Sequence, residues 1–479
     1  MSRASVELWA KAEPFSYGAI PVAPHPRLTF TNIRKIVIYA RNKGAAGFPK
    51  LSYGVWKHIA CNKLHITEDL AWMFFSSCHI LTDTFSPVER VRFDARIKKC
   101  HTENQKDDLR CTLKIDLYLF VLYLYIQQLY KVSLRASLVA GDEWPSQSST
   151  LDFEGGKGTP RRTKSLDDHS HQTFIQNNLQ EIIELVSEHE KGASERFDGI
   201  LLLEAVDALG FILAGSNDKN RSVKTILELA TLASFQSATG YSKLGQTFSL
   251  RLLQSWIKDN LGQNPFNVPS CIATGTRLSW LFAGESSRSD RSKRGKIATN
   301  ANIVPKNVIT GNKLIVMSQI SKQTIARSSG TLELSCVKIH RSYYSYLYLL
   351  SPLRSVTVEK CRKSTIVLGP VETTLHVSNC ENITIIALCR NIIISGCTLC
   401  TIYLLTPNRP ALLSGNDTII LAPYHTFYPK LDEHLARMGI GTDLNLWDQP
   451  LCVGPDNRED CPVWELMPIK EFYTFTIPI

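Results

Sequence analysis

Four short apolar segments decide how the C-terminal third of this chain folds: VTVEKC at 356–361, LHVSNC at 375–380, IIISGC at 392–397 and ALLSGN at 411–416. Each segment ends on a cysteine or an asparagine, and equivalent positions lie 19, 17 and 19 residues apart. A repeat of about 18 residues, with two or three short strands in each unit, is typical of coils that stack on one another. We therefore predict a parallel β-helix over residues 304–435.

Stacking would align equivalent side chains into columns, one strand spacing apart, and so close a narrow apolar core. The pattern predicts a first inward column of Val358, Val377, Ile394 and Leu413. It predicts a second inward column of Ile366, Ile385, Ile402 and Ile419. A third column, at a corner, would contain Cys361, Cys380, Cys397 and Asn416. Cysteine suits a buried corner because it is small and apolar, and the asparagine can hydrogen-bond the backbone of the last coil.

Cysteine usage favours buried free thiols. The chain has 13 cysteines in 479 residues, and Met1–Ala10 lacks the apolar stretch of a secretory signal. An odd number of cysteines without such a signal argues against a disulfide framework. Cys397 and Cys400 form one C-x-x-C pair, but no second pair or nearby histidine pair completes a zinc site. We expect no metal and no cofactor.

The sequence before the repeat reads as mostly helical, which predicts an α+β multidomain protein. The longest apolar run, LYLFVLYLYI at 117–126, is shorter than the roughly 20 residues of a membrane span, so we expect a buried helix and no transmembrane segment. Shifts in composition separate the regions. The predicted divisions are a helical N-terminal region (1–141), a flexible linker (142–172), a second helical region (173–285), a basic linker (286–303), the β-helix (304–435) and a C-terminal extension (436–479).

Two polar stretches raise the question of nucleotide or nucleic-acid binding. GGKGT at 155–159 lacks the full G-x-x-x-x-G-K-[ST] pattern and follows no apolar strand, so we expect no phosphate loop there. SSRSDRSKRGK at 286–296 is either a solvated connector, a basic patch for an acidic partner or a nuclear-import signal. The net charge of +10 is mild, and no nucleic-acid-binding module is recognised. We therefore expect no nucleic-acid partner.

The stretch GPVETTLHVSNCENITIIALCRNIIISGC at 369–397 resembles the C-CAP/cofactor-C domain, or TBCC domain, of the family that includes tubulin cofactor C. The shared features are a G-P-V turn and coils of the form C-x-x-[IL]-x-[IV]. The resemblance implies a right-handed parallel β-helix. It extends to longer members of the family through KAEPF at 11–15, KHIACNKL at 57–64, YIQQLYKVSLRASL at 125–138, QNPF at 263–266 and YLLSPLRSVTVEKCR at 348–362.

This wider resemblance implies a role at the centrosome. It implies an adaptor that regulates the positions of the centrosome and the Golgi apparatus, with effects on cell shape and migration. The implied locations are the cytoplasm, the cytoskeleton, the centrosome as microtubule organizing center, and the spindle pole. The implied partners are centrosomal and pericentriolar proteins, including tubulin or small GTPases bound without catalysis. Longer members continue past residue 479, so we expect a shorter isoform or a truncated gene model.

In catalytic members of the family, one coil presents Q-x-R-x-H on an outward strand face. The arginine acts as a finger that stabilises charge on the phosphates of a bound GTP, because its guanidinium is permanently charged and planar. The matching positions here are Asn391, Ile393 and Ser395. Strand alternation places all three outward. Isoleucine has neither charge nor donor, so we predict that the chain is not an enzyme.

Arg390 lies next to these positions and leaves two interpretations open. Alternation places it on the opposite parity, near a corner, where it would be a solvated arginine. It could instead be a displaced finger, which would make the chain a GTPase-activating protein of the tubulin-folding or Arf-like GTPase type. We favour the non-catalytic interpretation, in which Asn391, Ile393 and Ser395, with Arg390, form a partner-contact face.

Overall fold

The computed structural model describes residues 5–130, 166–187, 199–218, 221–280, 295–300, 313–328, 330–454 and 462–477. The GGKGT stretch and most of the basic stretch at 286–296 lie outside them, although Lys296 begins a strand and the helix at Leu166–Val186 starts within the predicted linker. Contacts divide the chain into two units. The first unit contains Met1–Ile38, Val121–Gly215 and Thr225–Asn264, and the second contains Tyr39–Phe120, Ser216–Lys224 and Pro265–Ile479.

Helices predominate before residue 275, and strands predominate after it. The helices of the described residues are α1 (Phe30–Asn42), α2 (Tyr53–Asn62), α3 (Glu68–Leu81), α4 (Pro87–Lys99), α5 (Glu103–Arg110), α6 (Leu117–Ile126), α7 (Leu166–Val186), α8 (Leu203–Leu209), α9 (Ile226–Ala230), α10 (Gln236–Thr239), α11 (Leu250–Asn260), α12 (Val268–Thr274) and α13 (Leu431–Met438).

The strands before the β-helix are short. In the described residues they are β1 (Glu7–Ala10), β2 (Lys50–Ser52), β3 (Lys114–Asp116), β4 (Ile200–Leu202), β5 (Leu213–Ser216), β6 (Thr247–Ser249), β7 (Leu261–Gly262), β8 (Thr276–Arg277) and β9 (Lys296–Thr299). The later strands are β10 (Leu314–Ser318), β11 (Thr324–Arg327), β12 (Ser335–His340), β13 (Tyr346–Leu349), β14 (Leu353–Glu359), β15 (Thr365–Leu368), β16 (Val371–Ser378), β17 (Thr384–Ser395), β18 (Thr398–Leu405), β19 (Ala411–Leu412), β20 (Asp417–Pro423), β21 (Thr426–Phe427), β22 (Leu451–Cys452), β23 (Trp464–Leu466) and β24 (Phe475–Thr476).

The apolar run at 117–126 forms α6, and all of its residues except Leu119 are buried. The helix has almost no polar face, because it lies in a core rather than at a surface. In the described part of the chain, no helix is both long enough and apolar enough to cross a membrane.

The predicted β-helix is confirmed, as is the α+β class. About six coils stack in parallel, and each contributes a strand to two faces. The first stack runs β10, β12, β14, β16, the end of β17, and β19. The second runs β11, β13, β15, the start of β17, β18 and β20. Strands β22 and β23 extend the two stacks, so part of the C-terminal extension continues the β-helix.

The first inward column is confirmed for Val358, Val377 and Ile394, which pair in register and are buried. The expected fourth member is wrong: Ile394 pairs with Leu412, not with Leu413. The last coil holds one more residue between this position and the corner than the coils before it do. Counting three residues back from the corner, as in the earlier coils, therefore selects Leu413 instead of Leu412.

The second inward column shows the same kind of shift. Ile366, Ile385 and Ile402 are paired and buried as predicted. The next member is Leu421, whereas Ile419 pairs with Cys400. Both Ile419 and Leu421 point into the core, because residues two apart on a strand share a face. The sequence pattern alone did not separate the two.

The corner column is confirmed with its terminal asparagine. Cys361, Cys380 and Cys397 are buried in the core, and the cysteines of the described residues are free thiols. Asn416 Oδ1 accepts from the backbone N–H of Cys397 at 3.0 Å. Its Nδ2 donates to the carbonyl oxygens of Ile394 at 3.0 Å and Leu413 at 2.7 Å. The amide thus satisfies backbone groups that would otherwise be buried without partners.

Helix α4 belongs to the same unit as the β-helix, and its start is well specified by local sequence. Ser86 Oγ accepts from the backbone N–H of Glu89, and the Glu89 carboxylate accepts from the backbone N–H of Ser86. This capping box, with Pro87 at the first helical position, fixes where the helix begins. Asp94 consequently lies in the middle of the helix, two turns from its start.

Candidate functional site

The residues that match the finger motif lie at the end of β17. Ile392 and Ile394 belong to the inward core, and Ile393 does not, so the predicted strand register is confirmed. Ile393 pairs with His376 on one side and with Ala411 on the other. Its side chain points out of the coil, yet it is only 8% exposed. The predicted finger position therefore holds an apolar side chain that is largely covered.

The parity expected for Arg390 is wrong. Cys389 and Ile392 both lie in the core, so two consecutive residues between them, Arg390 and Asn391, are outside it. The pairing between β16 and β17 is irregular here. Val371 pairs with Cys389 and Thr374 pairs with Asn391, so β16 has one more residue than β17 in this stretch. An irregularity of this kind re-aims side chains. Arg390 consequently points away from the coil interior.

Arg390 is not solvated, contrary to that expectation: it is 5% exposed. Its Nη1 donates to Asp94 Oδ2 of α4 at 2.9 Å, and its Nη2 donates to the carbonyl oxygen of Gly439. Burial lowers the pKa of Arg390 and raises the pKa of Asp94, while their mutual attraction opposes both shifts. Arg390 and Asp94 thus form a buried ion pair, in which each charge compensates the other.

Two further buried arginines form a second ion-pair network on the same face, in which the Asp83 side chain is 48% exposed. Arg90 of α4 reaches Asp83 at 2.8 Å and Glu372 of β16 at 3.2 Å. Arg354 of β14 reaches Glu372 at 2.9 Å and Asp83 at 3.0 Å. Each carboxylate thus bridges both guanidinium groups, and the charges balance. Such forked contacts fix orientation as well as charge, so α4 is held in one position on the β-helix.

Closer contacts also cover this face. Gly439 has φ +64°, and a Cβ added there would lie 2.5 Å from Pro87 Cα, so only glycine allows this approach. Asn391 Oδ1 accepts from Asn408 Nδ2 at 2.9 Å. Asn391 and Ser395 are half-buried. The predicted partner-contact face is thus accessible only in part, at these two residues, and its role stays a prediction.

A small cleft lies beside the Arg390–Asp94 pair, lined by α3, α4 and the β-helix. Its interior is about 50 Å³, and a bound water needs at least about 10–15 Å³. It therefore has room for a few waters but not for a nucleotide. His79, which lines it, has its pKa lowered to about 4 by burial and by the nearby Arg90 and Arg390. The imidazole is neutral at physiological pH.

Stability should fall in mild acid because of His79. The folded-state pKa of about 4 lies below the unfolded value of 6.5, so between these pH values the unfolded chain binds more protons. The contribution of neutral His79 to the free energy of unfolding is fully present above pH 6.5 and is lost as the pH falls toward 4. We expect His79 to account for about 2 kcal/mol of the loss between pH 7 and pH 5.

Urea unfolding at pH 7 and pH 5 checks this expectation. His79→Phe should unfold with a smaller acid loss than the parent chain, because phenylalanine does not titrate. His376 and His425 also have pKa values lowered to about 4 by burial, so part of the loss will remain. Equal acid losses in the parent and in His79→Phe would show that His79 does not contribute.

The C-x-x-C pair lies inside the coils. Cys397 and Cys400 are buried in the β-helix core, where neither is open to solvent. Across the described ranges of the chain, no three histidine, cysteine, aspartate or glutamate side chains are grouped so that they could hold a metal ion. The pair is explained by packing at the corner of the coils.

Sequence reasoning did not find the residues that hold Arg390. Asp94 is separated from it by almost 300 positions, and a single aspartate in a helix rich in charged residues carries no distinguishing signal. Asp83, Arg354 and Glu372 were missed for the same reason. The register of β17 pointed to the correct coil, but the ion pairs depend on how α4 packs against it.

Comparisons with known proteins agree with this architecture. The family model described as tubulin binding cofactor C matches residues 334–451. TBCC domain-containing protein 1 of Mus musculus is 41% identical over 483 residues, which are 100% of this chain and 86% of the relative. The chain belongs to the TBCC domain-containing protein 1 family. The Homo sapiens relative of that name is 41% identical over 485 residues (100% of this chain, 85% of the relative), and that of Gallus gallus is 40% identical over 479 (99% and 84%).

Membership of this family assigns the β-helix as a tubulin-cofactor-C domain, which fits a cytoskeletal role. The match begins one residue before β12 and ends at the first residue of β22, so it contains Ile393, Arg390 and Glu372. The relatives extend over the helical region as well, including Asp83 and Asp94. Both halves of the buried ion pairs therefore lie within the compared length.

Proposed function

We propose that the chain is a non-catalytic adaptor that acts at the centrosome and regulates the positions of the centrosome and the Golgi apparatus. Through those positions it influences cell shape and migration. Full-length similarity to the TBCC domain-containing protein 1 family supports this proposal. The proposed locations are the cytoplasm, the cytoskeleton, the microtubule organizing center and the spindle pole.

One observation carries the non-catalytic part of the proposal. The position of the finger arginine holds Ile393, and the adjacent Arg390 is engaged with Asp94. A finger must reach the phosphates of a GTP bound to a partner. Arg390 would have to leave a buried ion pair to do so, and breaking such a pair costs several kcal/mol. No described observation favours the alternative function, a GTPase-activating protein.

The proposed partners are proteins of the centrosome and the pericentriolar region, with tubulin or small GTPases bound without catalysis. The accessible part of the contact face, in this proposal, is Asn391 with Ser395. A rigid stack of coils suits such contacts, since its surface needs no ordering when a partner binds. The proposed organisation keeps the six divisions drawn from composition, except that α7 begins within the linker at 142–172 and that β22 and β23 join part of the C-terminal extension to the β-helix.

The test is replacement of the protein in cells that lack it. A fluorescently tagged full-length chain should coincide with a centrosome marker and restore the normal distance between centrosome and nucleus, along with a compact Golgi apparatus. Asp94→Ala, which should weaken the fold, is the matched loss-of-structure control, and Arg409→Ala is the matched neutral variant. The proposal would be refuted by a well-expressed chain that stays diffuse and restores neither the distance between centrosome and nucleus nor the compact Golgi apparatus.

A further inference from the structure

One edge of the β-helix is built from residues in an uncommon backbone conformation. Each coil passes from the first stack to the second through a turn that holds two left-handed residues, three positions apart. The first left-handed positions are Gln319, Arg341, Lys360, Asn379, Gly396 and Gly415. The second are Lys322, Tyr344, Lys363, Asn382, Leu399 and Thr418. We name this edge, from Gln319 to Thr418, the turn edge.

The turn edge is in register from coil to coil. Residues between the two left-handed positions pair in parallel, and they are Ser321, Tyr343, Arg362, Glu381 and Thr398. Side chains at equivalent positions therefore lie one strand spacing apart, about 4.8 Å. Neighbouring turns present their side chains as continuous rows on the surface.

Positive charge is concentrated in the first three turns of this edge. The basic side chains there are exposed, and they are Lys322, Arg341, Lys360, Arg362 and Lys363. Two carboxylates lie among them, Glu359 and Glu381, so the strip carries a net positive charge. The side chain of Arg362 is 63% exposed, and its ion pair with Glu381 spans 3.1 Å. An exposed pair of this kind contributes little and can exchange partners.

Exposed tyrosines accompany the charges. Tyr344 is 54% exposed and Tyr346 is 52% exposed. Lys363 Nζ lies 5.4 Å from the centre of the Tyr344 ring. The ammonium group therefore covers a ring face, while the phenol hydroxyl can donate to an acceptor on a partner.

Two of the basic side chains occupy a backbone conformation that does not favour them. A left-handed conformation is unfavourable for residues with a Cβ and is best tolerated by glycine and asparagine. At the first left-handed position the later turns follow that rule, with Asn379, Gly396 and Gly415, whereas the second position also holds Leu399 and Thr418. The second and third turns instead place Arg341 and Lys360 at such positions. Their side chains add backbone strain that the fold does not require.

We propose that the turn edge of the first three coils binds an acidic, extended polypeptide segment. Rows spaced at about 4.8 Å make a strip only two or three side chains wide, which matches a single extended chain. Carboxylates of the segment would replace Glu359 and Glu381 as partners of the basic side chains. The tyrosine hydroxyls would add hydrogen bonds.

A nucleic acid fits this strip less well than a peptide does. Single-stranded binding relies on aromatic faces on which bases stack, and Lys363 occupies a face of Tyr344. A membrane surface would favour a broad basic area with aliphatic residues that enter the lipid. The strip is narrow and carries carboxylates. The inference concerns the first three coils, whereas Asn391 and Ser395 belong to a later coil, and it does not depend on a centrosomal role.

The experiment measures binding of a fluorescent decaglutamate peptide to the full-length chain by anisotropy, at low and at higher salt. The edge variant combines Arg341→Asn, Lys360→Asn and Lys363→Asn, which copies the residues of the fourth turn. We expect binding about tenfold weaker or worse, since three attractive charges are lost. The midpoint of urea unfolding should stay the same or rise, because asparagine relieves backbone strain.

A matched control removes the same charge elsewhere. Arg92→Asn, Lys98→Asn and Lys99→Asn replace three exposed basic residues on α4, and the peptide affinity should change by no more than about twofold. Three results would overturn the proposal: no peptide binding by the parent chain at low salt, equal losses in both triple variants, or tighter edge-dependent binding of a thymidine oligonucleotide or of phosphatidylserine vesicles than of the peptide.

Discussion

Alanine at Asp94 or at Arg390 is expected to lower the free energy of unfolding of the β-helix unit by about 3–5 kcal/mol. Either change removes one partner of a buried ion pair and leaves the other charge without compensation. Arg390 would lose the carboxylate that it contacts at 2.9 Å. Asp94, in the converse variant, would keep no described ion pair. Urea unfolding followed by tryptophan fluorescence measures the change.

Arg409→Ala provides a matched control. Arg409 Nη1 lies 2.6 Å from Asp69 Oδ1, so it also joins the β-helix to the helical segment, but the two side chains are 36% and 53% exposed. Alanine also removes the hydrogen bonds from Arg409 to the carbonyl oxygens of Gln449 and Pro450. Exposed pairs contribute about 0–1 kcal/mol. Combining Asp94→Leu with Arg390→Met should recover much of the loss, since neither member of this pair then leaves an uncompensated buried charge. If Arg390→Ala and Arg409→Ala cost the same, the buried pair is not what anchors this face.

Ile394→Ala is expected to cost about 2–5 kcal/mol, the range for truncating a large buried aliphatic side chain. Ile394 is fully buried between Val377 and Leu412 in the inward column. A cavity in a narrow β-helix cannot collapse easily, because both neighbouring coils are held by backbone hydrogen bonds. The change should therefore lie toward the upper part of that range. Urea unfolding measures it.

Ile420→Ala is the comparison for Ile394→Ala. Ile420 is the same residue type in the same β-helix, on β20, and it is half-buried on the outer side of the strand. Its truncation should lower the free energy of unfolding by about 1 kcal/mol or less, because the removed atoms are partly in contact with solvent and leave no enclosed cavity. Equal costs at the two positions would contradict the assignment of the inward columns.

The β-helix could be predicted because its evidence is local and repeated. Each coil carries the same alternation, so errors in one coil are corrected by the others. The sequence repeat ends at the coil that contains Asn416, so no later repeat reveals the extra residue between Leu412 and Asn416. The assigned column therefore slipped to Leu413 there, while Asn416 itself was placed correctly.

The anchoring of Arg390 could not be predicted, because it depends on two elements far apart in the sequence. Strand alternation fails where β16 and β17 change register, and that change is set by tertiary packing. Once the register shifts, Arg390 faces outward and needs a partner. The sequence contains many acidic residues that could supply one, and nothing local distinguishes Asp94.

The buried pair bears on the proposal that the chain lacks an arginine finger. In that proposal Ile393 supplies no catalytic group, and Arg390, three residues away, is the remaining candidate. The structure binds that arginine to α4 of its own unit. The same face carries Glu372 and Arg354 in a second network with α4. The protein therefore uses this region of the β-helix to hold its own helical segment.

Single-turnover phosphate release tests the central claim most directly. GTP-loaded tubulin, and separately a GTP-loaded Arf-like GTPase, are mixed with the full-length chain, and tubulin cofactor C serves as the positive control on tubulin. A working arginine finger raises the rate by about 10³–10⁵-fold. The account predicts that the chain leaves both rates unchanged within about twofold of the intrinsic rate, far below that range. A large stimulation that disappears in Arg390→Lys, a variant that keeps the charge beside Asp94, would contradict it.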